Sequence, residues 1–394
     1  MNDNQHILPA PQQIPIAYIT TAAALGNCIA QLKQAKAIAF DLEFDRDHYT
    51  YGFNLCLMQI ASDMHCYLID PQADLDIRET FSLLEDPAIL KVVHSSTEDM
   101  RLLHSLKCYP KNLCDTEAYA KLLNYERISL GAMIQQLFGI ELDKKMQKVN
   151  WVLRPLKPQQ MEYAANDVLY LLQMKTELER QGAGKGLLPF FEEENEQLST
   201  TIYDMGSRDN FLKKSDLLYA SPYQQYVLNG MFCYRDNLAM QQNKPAHYIM
   251  NEDTLRGLAA NKISRAEWQD LKGLHPLLKS REGEQQVFEQ LEKLKTEAHD
   301  KNLSHKRKRI NRSAEDFQEE REKRDMLKAT LFKPIQDELA LQYGEHAMRF
   351  IFSTAMVNTI LQGEMKIGEM KTAYRQMLVM AAAKKLGVSL SAYE

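Results

Sequence analysis

Three short stretches of this 394-residue chain carry acidic residues at spacings suited to cation binding. In "AIAFDLEFDRD", residues 37–47, Asp41 and Glu43 interrupt an apolar run. Side chains alternate across a strand, so Phe40, Leu42 and Phe44 share one face while Asp41, Glu43 and Asp45 share the other. Carboxylates gathered on one face need a cation, hydrogen bonds or water to be tolerated. In "HSSTEDMRLL", residues 94–103, Ser96 or Thr97 can cap a helix and place Glu98 and Asp99 in its first turn, where the helix dipole favours negative charge. The spacing alone does not choose between these two acids. In "QQMEYAANDVLYLL", residues 159–172, Tyr163 and Asp167 stand four apart on one helix face, with Tyr170 one turn further on. Aspartate is a poor helix-interior residue, which makes its placement here informative. Carboxylate oxygens are the ligands that Mg²⁺ and Mn²⁺ prefer.

The elements that must position these groups alternate as in an α/β domain. Strands are predicted at 37–44, 54–61, 66–70 and 89–94, and helices at 97–107, 116–124, 129–138 and 158–180. The last helix opens on Pro158, suited to a first turn, and is expected to stop at "QGAGKG", where Gly182 can take a left-handed cap. That glycine-rich piece lacks phosphate-loop spacing and follows no strand. Beyond about residue 210 the strand signals end. Residues 221–259 read as a helix, a loop carrying Pro245, and a second helix capped by Asn251 or Asp253. Short helices continue to about 295, "HKRKRINR" (305–312) reads as a solvated basic linker, and a helical block closes the chain.

The length predicts two or three domains. No apolar run reaches the roughly 20 residues of a membrane span. The opening "MNDNQHILPAPQQIP" lacks the profile of a secretory signal, so a cytoplasmic protein is expected. Six cysteines are scattered without a C-x-x-C pair and read as buried free thiols. A formal charge of -5 does not decide for or against a polyanionic partner, because averaging hides local patches. One such patch is "KKMQKVNWVLRPLK", residues 144–157, with five basic residues and no acid. Lys144, Lys145, Lys148, Arg154 and Lys157 are candidate phosphate contacts, and Trp151 a candidate base-stacking platform. Arg46, with Phe44, Tyr49 and Tyr51, could line the mouth of the site. His94 reads as a packed strand-end histidine.

Taken in order, "FDLEFDR", "MQIA", "KVVHSSTEDMRLL", "CDTEAYAKLL" and "WVLRPLKPQQMEYAANDVLYLL" resemble ribonuclease D, of the tyrosine subclass of DEDD exonucleases, over nearly all of residues 35–175. The histidine subclass would place a His where Glu162 stands. The resemblance selects Asp99 over Glu98. It implies that Asp41, Glu43, Asp99 and Asp167 hold two divalent metal ions, Mg²⁺ or Mn²⁺, with Tyr163 at the water-orienting position. Asp41 would bridge the ions, Glu43 and Asp167 would complete the nucleophile side, and Asp99 would hold the second ion. Leu42 stands where the family usually has Thr, the segment between Phe44 and Gln59 lacks its usual Pro, and Asn150 replaces a frequent Asp.

The implied architecture is an α/β, RNase H-like mixed-sheet exonuclease domain (1–205) followed by all-α HRDC-type helical domains. These are an HRDC-like domain (210–298), a charged linker (299–319), and a C-terminal helical domain (320–394) that is a candidate second module. The implied activity is metal-dependent 3′-to-5′ exoribonuclease action on structured RNAs such as tRNA precursors, with no membrane and no obligate protein partner. Two rivals stand beside it: a DNA exonuclease of the Werner type, and a nucleic-acid-binding scaffold with a lapsed site. The presence of all four acids and Tyr163 weighs against the scaffold.

Overall fold

The computed structural model describes residues 7–204, 206, 208–307 and 314–393. The described chain falls into two compact units. The first holds the residues up to Glu43, Leu55–Asp204 and the C-terminal helices; the second holds Phe44–Asn54 and most of 206–307.

Unit 1 is built on a six-stranded sheet in the order β1-β4-β3-β2-β5-β6. Its elements are β1 (Ile16–Thr21), α1 (Ala22–Leu32), β2 (Ala37–Arg46), β3 (Phe53–Ala61), β4 (Cys66–Asp74), α2 (Phe81–Leu84), β5 (Leu90–Val93), α3 (Thr97–Ser105), β6 (Leu113–Asp115), α4 (Thr116–Leu122), α5 (Leu130–Phe138), α6 (Pro158–Leu169), α7 (Leu171–Gly184) and α8 (Leu188–Thr200). The sheet is mixed: β1 pairs parallel with β4, β3 antiparallel with β4, and β5 parallel with both β2 and β6. Ala39 of β2 lies opposite Val92 of β5. Since these neighbours run the same way, the end of β2 bearing Asp41 and Glu43 and the turn from β5 into α3 open at one edge of the sheet.

The predicted strands and helices are present, with two additional strands. In β1 only Ile19 is buried, so the strand shows no apolar alternation. β6 is only three residues long. The long helix stops within "QGAGKG" as expected, at Gly184, but its continuity and its cap are corrected. Tyr170 divides it into α6 and α7, and the chain stays helical through Gly182. Gly186 takes the left-handed conformation instead, at φ +69°. Gly182 serves packing: a Cβ there would sit 2.4 Å from the Phe191 ring, which stacks on Tyr119 at 3.9 Å between centroids.

Unit 2 is helical: α9 (Lys214–Tyr219), α10 (Pro222–Gln242), α11 (Ala246–Ile249), α12 (Glu252–Ala259), α13 (Pro276–Lys279) and α14 (Arg281–Asp300). Ser221 caps α10, and Asn251, one of the two expected caps, accepts from the Thr254 amide to start α12. Val227, Met231, Phe232, Leu255, Trp268 and Leu291 form the core. The loop Phe44–Asn54 belongs to this unit. Asp45 organises it by accepting from the backbone amides of His48, Tyr49 and Thr50. The Tyr51 hydroxyl donates to Asp236, and Arg208 pairs with Asp47 at 2.5 Å while lying over the Tyr51 ring.

The final helices are α15 (Ala314–Leu327), α16 (Lys333–Tyr343), α17 (Glu345–Ile351), α18 (Thr354–Leu361) and α19 (Ala373–Leu386). Expected as a separate domain, residues 320–394 instead group with unit 1. Their apolar side chains, Phe332, Ile335, Leu339 and Ile351 among them, join the same core as the helices covering the sheet. Polar contacts fix the join. Asn124 accepts from the His346 and Ala347 amides, and Arg375, almost fully buried, pairs with Glu194 at 2.6 Å. Part of the expected basic linker, residues 308–313, lies outside the described residues. Among the described residues no helix is long and apolar enough to cross a membrane.

Candidate metal centre

Strand alternation places Asp41 and Glu43 on the sheet face whose other members, Ala39, Leu57 and Leu68, pack into the helical core. Phe40 and Leu42 are buried on the opposite face. α6 lies over the acidic face and is anchored at its start by Pro158 and by the Gln160 side chain, which accepts from the Lys157 amide at 3.0 Å. Ala164 and Ala165 are wholly buried, and their small size lets the helix approach the sheet closely. That approach carries Asp167 to the strand acids. One carboxylate oxygen from each of Asp41, Glu43 and Asp167 lies within 4.8 Å of the others.

Asp99 enters from the first turn of α3 and is 8% exposed. It is close enough to Asp41 for that charge to raise its proton affinity. Its neighbour Glu98 instead pairs with Arg101 at 2.9 Å. Asp45, third on the strand face, is turned into its loop and does not join the cluster.

Burial and mutual repulsion govern the electrostatics. Burial pushes Asp41 up to about 7 against an opposing hydrogen bond from the Leu42 amide. Asp167 is pushed up to about 8 by burial and then by the Asp41 charge, with a hydrogen bond from Tyr163 pulling the other way. Glu43 is held well above the usual carboxylate range by burial, then by Asp41, Asp167 and Asp99. Asp99 is raised by burial, then by Asp41 and Asp115. Tyr163 is raised by burial and then by the Asp167 charge, so its phenol keeps its proton at neutral pH. Carboxylates this close repel unless they hold protons or share a cation. An all-oxygen donor set with raised proton affinity fits a hard divalent cation that would take the protons' place.

The other residues singled out in the sequence divide. Lys145, Lys148 and Lys157 are exposed; Lys145 lies 3.4 Å from Asp143 in a solvated pair. The side chain of Lys144 lies outside the described residues. Arg46 is exposed with its guanidinium over the Phe53 ring. Two assignments are corrected. Trp151 is 4% exposed and packs beside Tyr163, so its faces are not open to a base. Arg154 is committed to the fold: it donates to Asp70 at 2.6 and 2.8 Å, to the Cys56 carbonyl at 2.6 Å and to the Trp151 carbonyl at 2.7 Å. Burial opposes the charge on Asp70, yet the hydrogen bonds from Arg154 and Tyr18 outweigh it and hold that acid below its ordinary range. His94 is packed as expected, between Thr116 and the Ile128 carbonyl. Sequence reasoning missed Asp115, which accepts from the amides of Ser95 and Ser96 just ahead of Asp99. Its signal was the Asp-Thr pair opening α4 in "CDTEAY".

A family model described as a 3′-5′ exonuclease matches residues 16–183. Ribonuclease D of Zymomonas mobilis subsp. mobilis is 30% identical over 283 residues, covering 70% of this chain and 71% of that protein. The chain belongs to the ribonuclease D family. Ribonuclease D of Haemophilus influenzae is also 30% identical, over 248 residues; that match spans 62% of each protein, a little under two thirds of the relative's length. The crystal structure of Escherichia coli RNase D superposes with a TM-score of 0.71 at 22% identity, covering 95% of this chain and 99% of that one. The fold is therefore shared with that structure: a mixed six-stranded sheet with helices, followed in the chain by further helices.

An acid whose folded proton affinity exceeds its ordinary value near 4 weakens folding progressively as pH rises. For Asp41 and Asp167 that window runs from about 4 to the folded values of about 7 and 8. Without metal, stability should fall across this range. Mn²⁺ affinity, which requires ionised ligands, should climb about tenfold or more between pH 6 and 8 in titration calorimetry. A flat affinity profile would contradict these acids as the ligand set.

Proposed function

We propose that this protein is a metal-dependent 3′-to-5′ exoribonuclease. The observation carrying the reading is the convergence of Asp41, Glu43 and Asp167, with Asp99 beside them, from three separate elements into one acidic cluster. Family membership and the matched 3′-5′ exonuclease model support it. Asp41, Glu43 and Asp167 would hold one divalent cation and Asp99 would contribute to a second, with Asp41 shared. Such ions supply an activated water and offset charge on the leaving oxygen. In hydrolysis, water adds to the phosphorus of the terminal linkage, the bond to the 3′ oxygen breaks, and that oxygen takes up a proton. Tyr163, which keeps its own proton, would orient the attacking water through its phenol rather than act as a base.

E. coli RNase D is an exoribonuclease involved in structured RNA processing. We extend that substrate class to this chain, with tRNA precursors as the specific RNAs. Lys145, Lys148 and Lys157, exposed just ahead of α6, are the proposed phosphate contacts on its approach.

Asp41→Asn and Asp167→Asn should each slow trimming of a 3′-extended tRNA by about a thousandfold, the equivalent of several kcal/mol of transition-state stabilisation. A product ladder shrinking at near wild-type rate in either variant would refute the reading. Replacing Lys145 and Lys148 together by Ala should flatten the plot of log binding constant against log salt by about 1.4 for single-stranded RNA. An unchanged slope would remove these lysines from the RNA path.

A further inference from the structure

Asp99 differs from the other three acids in how it is held. Asp41 and Glu43 are fixed by the sheet, and Asp167 by the long α6; Asp99 depends on where the nine-residue α3 begins. That start is unusual. Ser95 sits in the left-handed region at φ +61°, which side-chain-bearing residues seldom adopt. Ser96, at the helix cap position, makes no capping hydrogen bond with its own side chain.

The turn is held instead from β6, through the amides of Ser95 and Ser96 just ahead of the helix. Asp115 Oδ1 accepts from the Ser95 amide at 2.9 Å and from the Glu117 amide at 2.8 Å. Its Oδ2 accepts from the Ser96 amide at 3.1 Å and from the Ser96 hydroxyl at 3.3 Å. One carboxylate thus caps α4 and grips the turn that launches α3. A second clasp lies one residue back. His94 Nε2 donates to the Ile128 carbonyl at 2.9 Å, while Nδ1 lies 2.8 Å from the Thr116 hydroxyl, itself 3.0 Å from the Val93 carbonyl. A cap serving α4 alone would need only the bond to Glu117; the three bonds to Ser95 and Ser96 act on the segment that carries Asp99.

We infer that Asp115 is a positioning residue for Asp99: it holds the β5–α3 turn in a conformation the turn would not keep alone, and so fixes the ligand of the second ion. The inference rests on the reading of the four acids as a metal centre. Outer supports of this kind typically change metal affinity about 10- to 100-fold when removed.

The test counts Mn²⁺ bound to the full chain by electron paramagnetic resonance. Wild type should fill two sites. Asp115→Ala should weaken one of them by about 10- to 100-fold and leave the other near its wild-type affinity. Asp115→Asn, whose carbonyl oxygen can still accept from Ser95 and Glu117 but which loses the acceptor for Ser96, should recover most of that loss and not all of it. Asn124→Ala, which removes a distant clasp on the C-terminal helices, should lower the melting temperature without moving either site. If both Asp115 variants bind Mn²⁺ as wild type does, or if both sites weaken equally, the positioning role is overturned while the metal centre stands. If wild type itself binds no Mn²⁺, the metal centre fails and this inference with it. Should Asp115→Ala not fold, Asp115→Asn decides: a residual selective loss at one site supports the role, and no loss refutes it.

Discussion

Like charge held at close range is the constraint on which the rest of this structure depends. Three carboxylates whose oxygens approach within 4.8 Å, with a fourth alongside, gain nothing from one another. Their proton affinities rise because the fold gives them little water and sets them against one another. A chain holds such a cluster together only if the surrounding elements are rigid enough to resist the repulsion. The sheet supplies this through the adjacent parallel strands β2 and β5, and the large apolar core clamps α6 across them. A divalent cation bound there would convert the repulsion into attraction and so couple binding to folding.

Rigidity is reinforced from outside the sheet. The C-terminal helices complete the core rather than standing apart, and the buried Arg375–Glu194 pair and the Asn124 clasp fix them there. Within the other unit, Asp45 and Tyr51 order the loop Phe44–Asn54 by bonding its own amides and Asp236. Arg154, tying Asp70 to the carbonyls of Cys56 and Trp151, locks the segment that leads into α6.

Much of the site was legible because its periods are short. Asp41 and Glu43 are two apart on a strand, Tyr163 and Asp167 four apart on a helix, and each period dictates a shared face whatever the rest of the fold does. Asp99 and Glu98 could not be separated that way, since both occupy the first turn and only packing sends one inward and the other to Arg101. Trp151 and Arg154 were misread for a related reason. A long amphipathic side chain looks the same in sequence whether it faces solvent or core, and the partner that decides Arg154, Asp70, lies 84 residues away. β1 and β6 escaped because one is an edge strand with little buried and the other is three residues long. Asp115 was missed: the Asp-Thr pair could at most have signalled a cap for α4, and its grip on the turn into α3 is a tertiary contact no local pattern reveals.

The most direct test of the metal centre is a crystal soaked in Mn²⁺ and measured for anomalous scattering. One peak bounded by Asp41, Glu43 and Asp167 and a second shared between Asp41 and Asp99 are expected. Peaks confined to other parts of the molecule, with the four acids left unligated at pH 8, would contradict it.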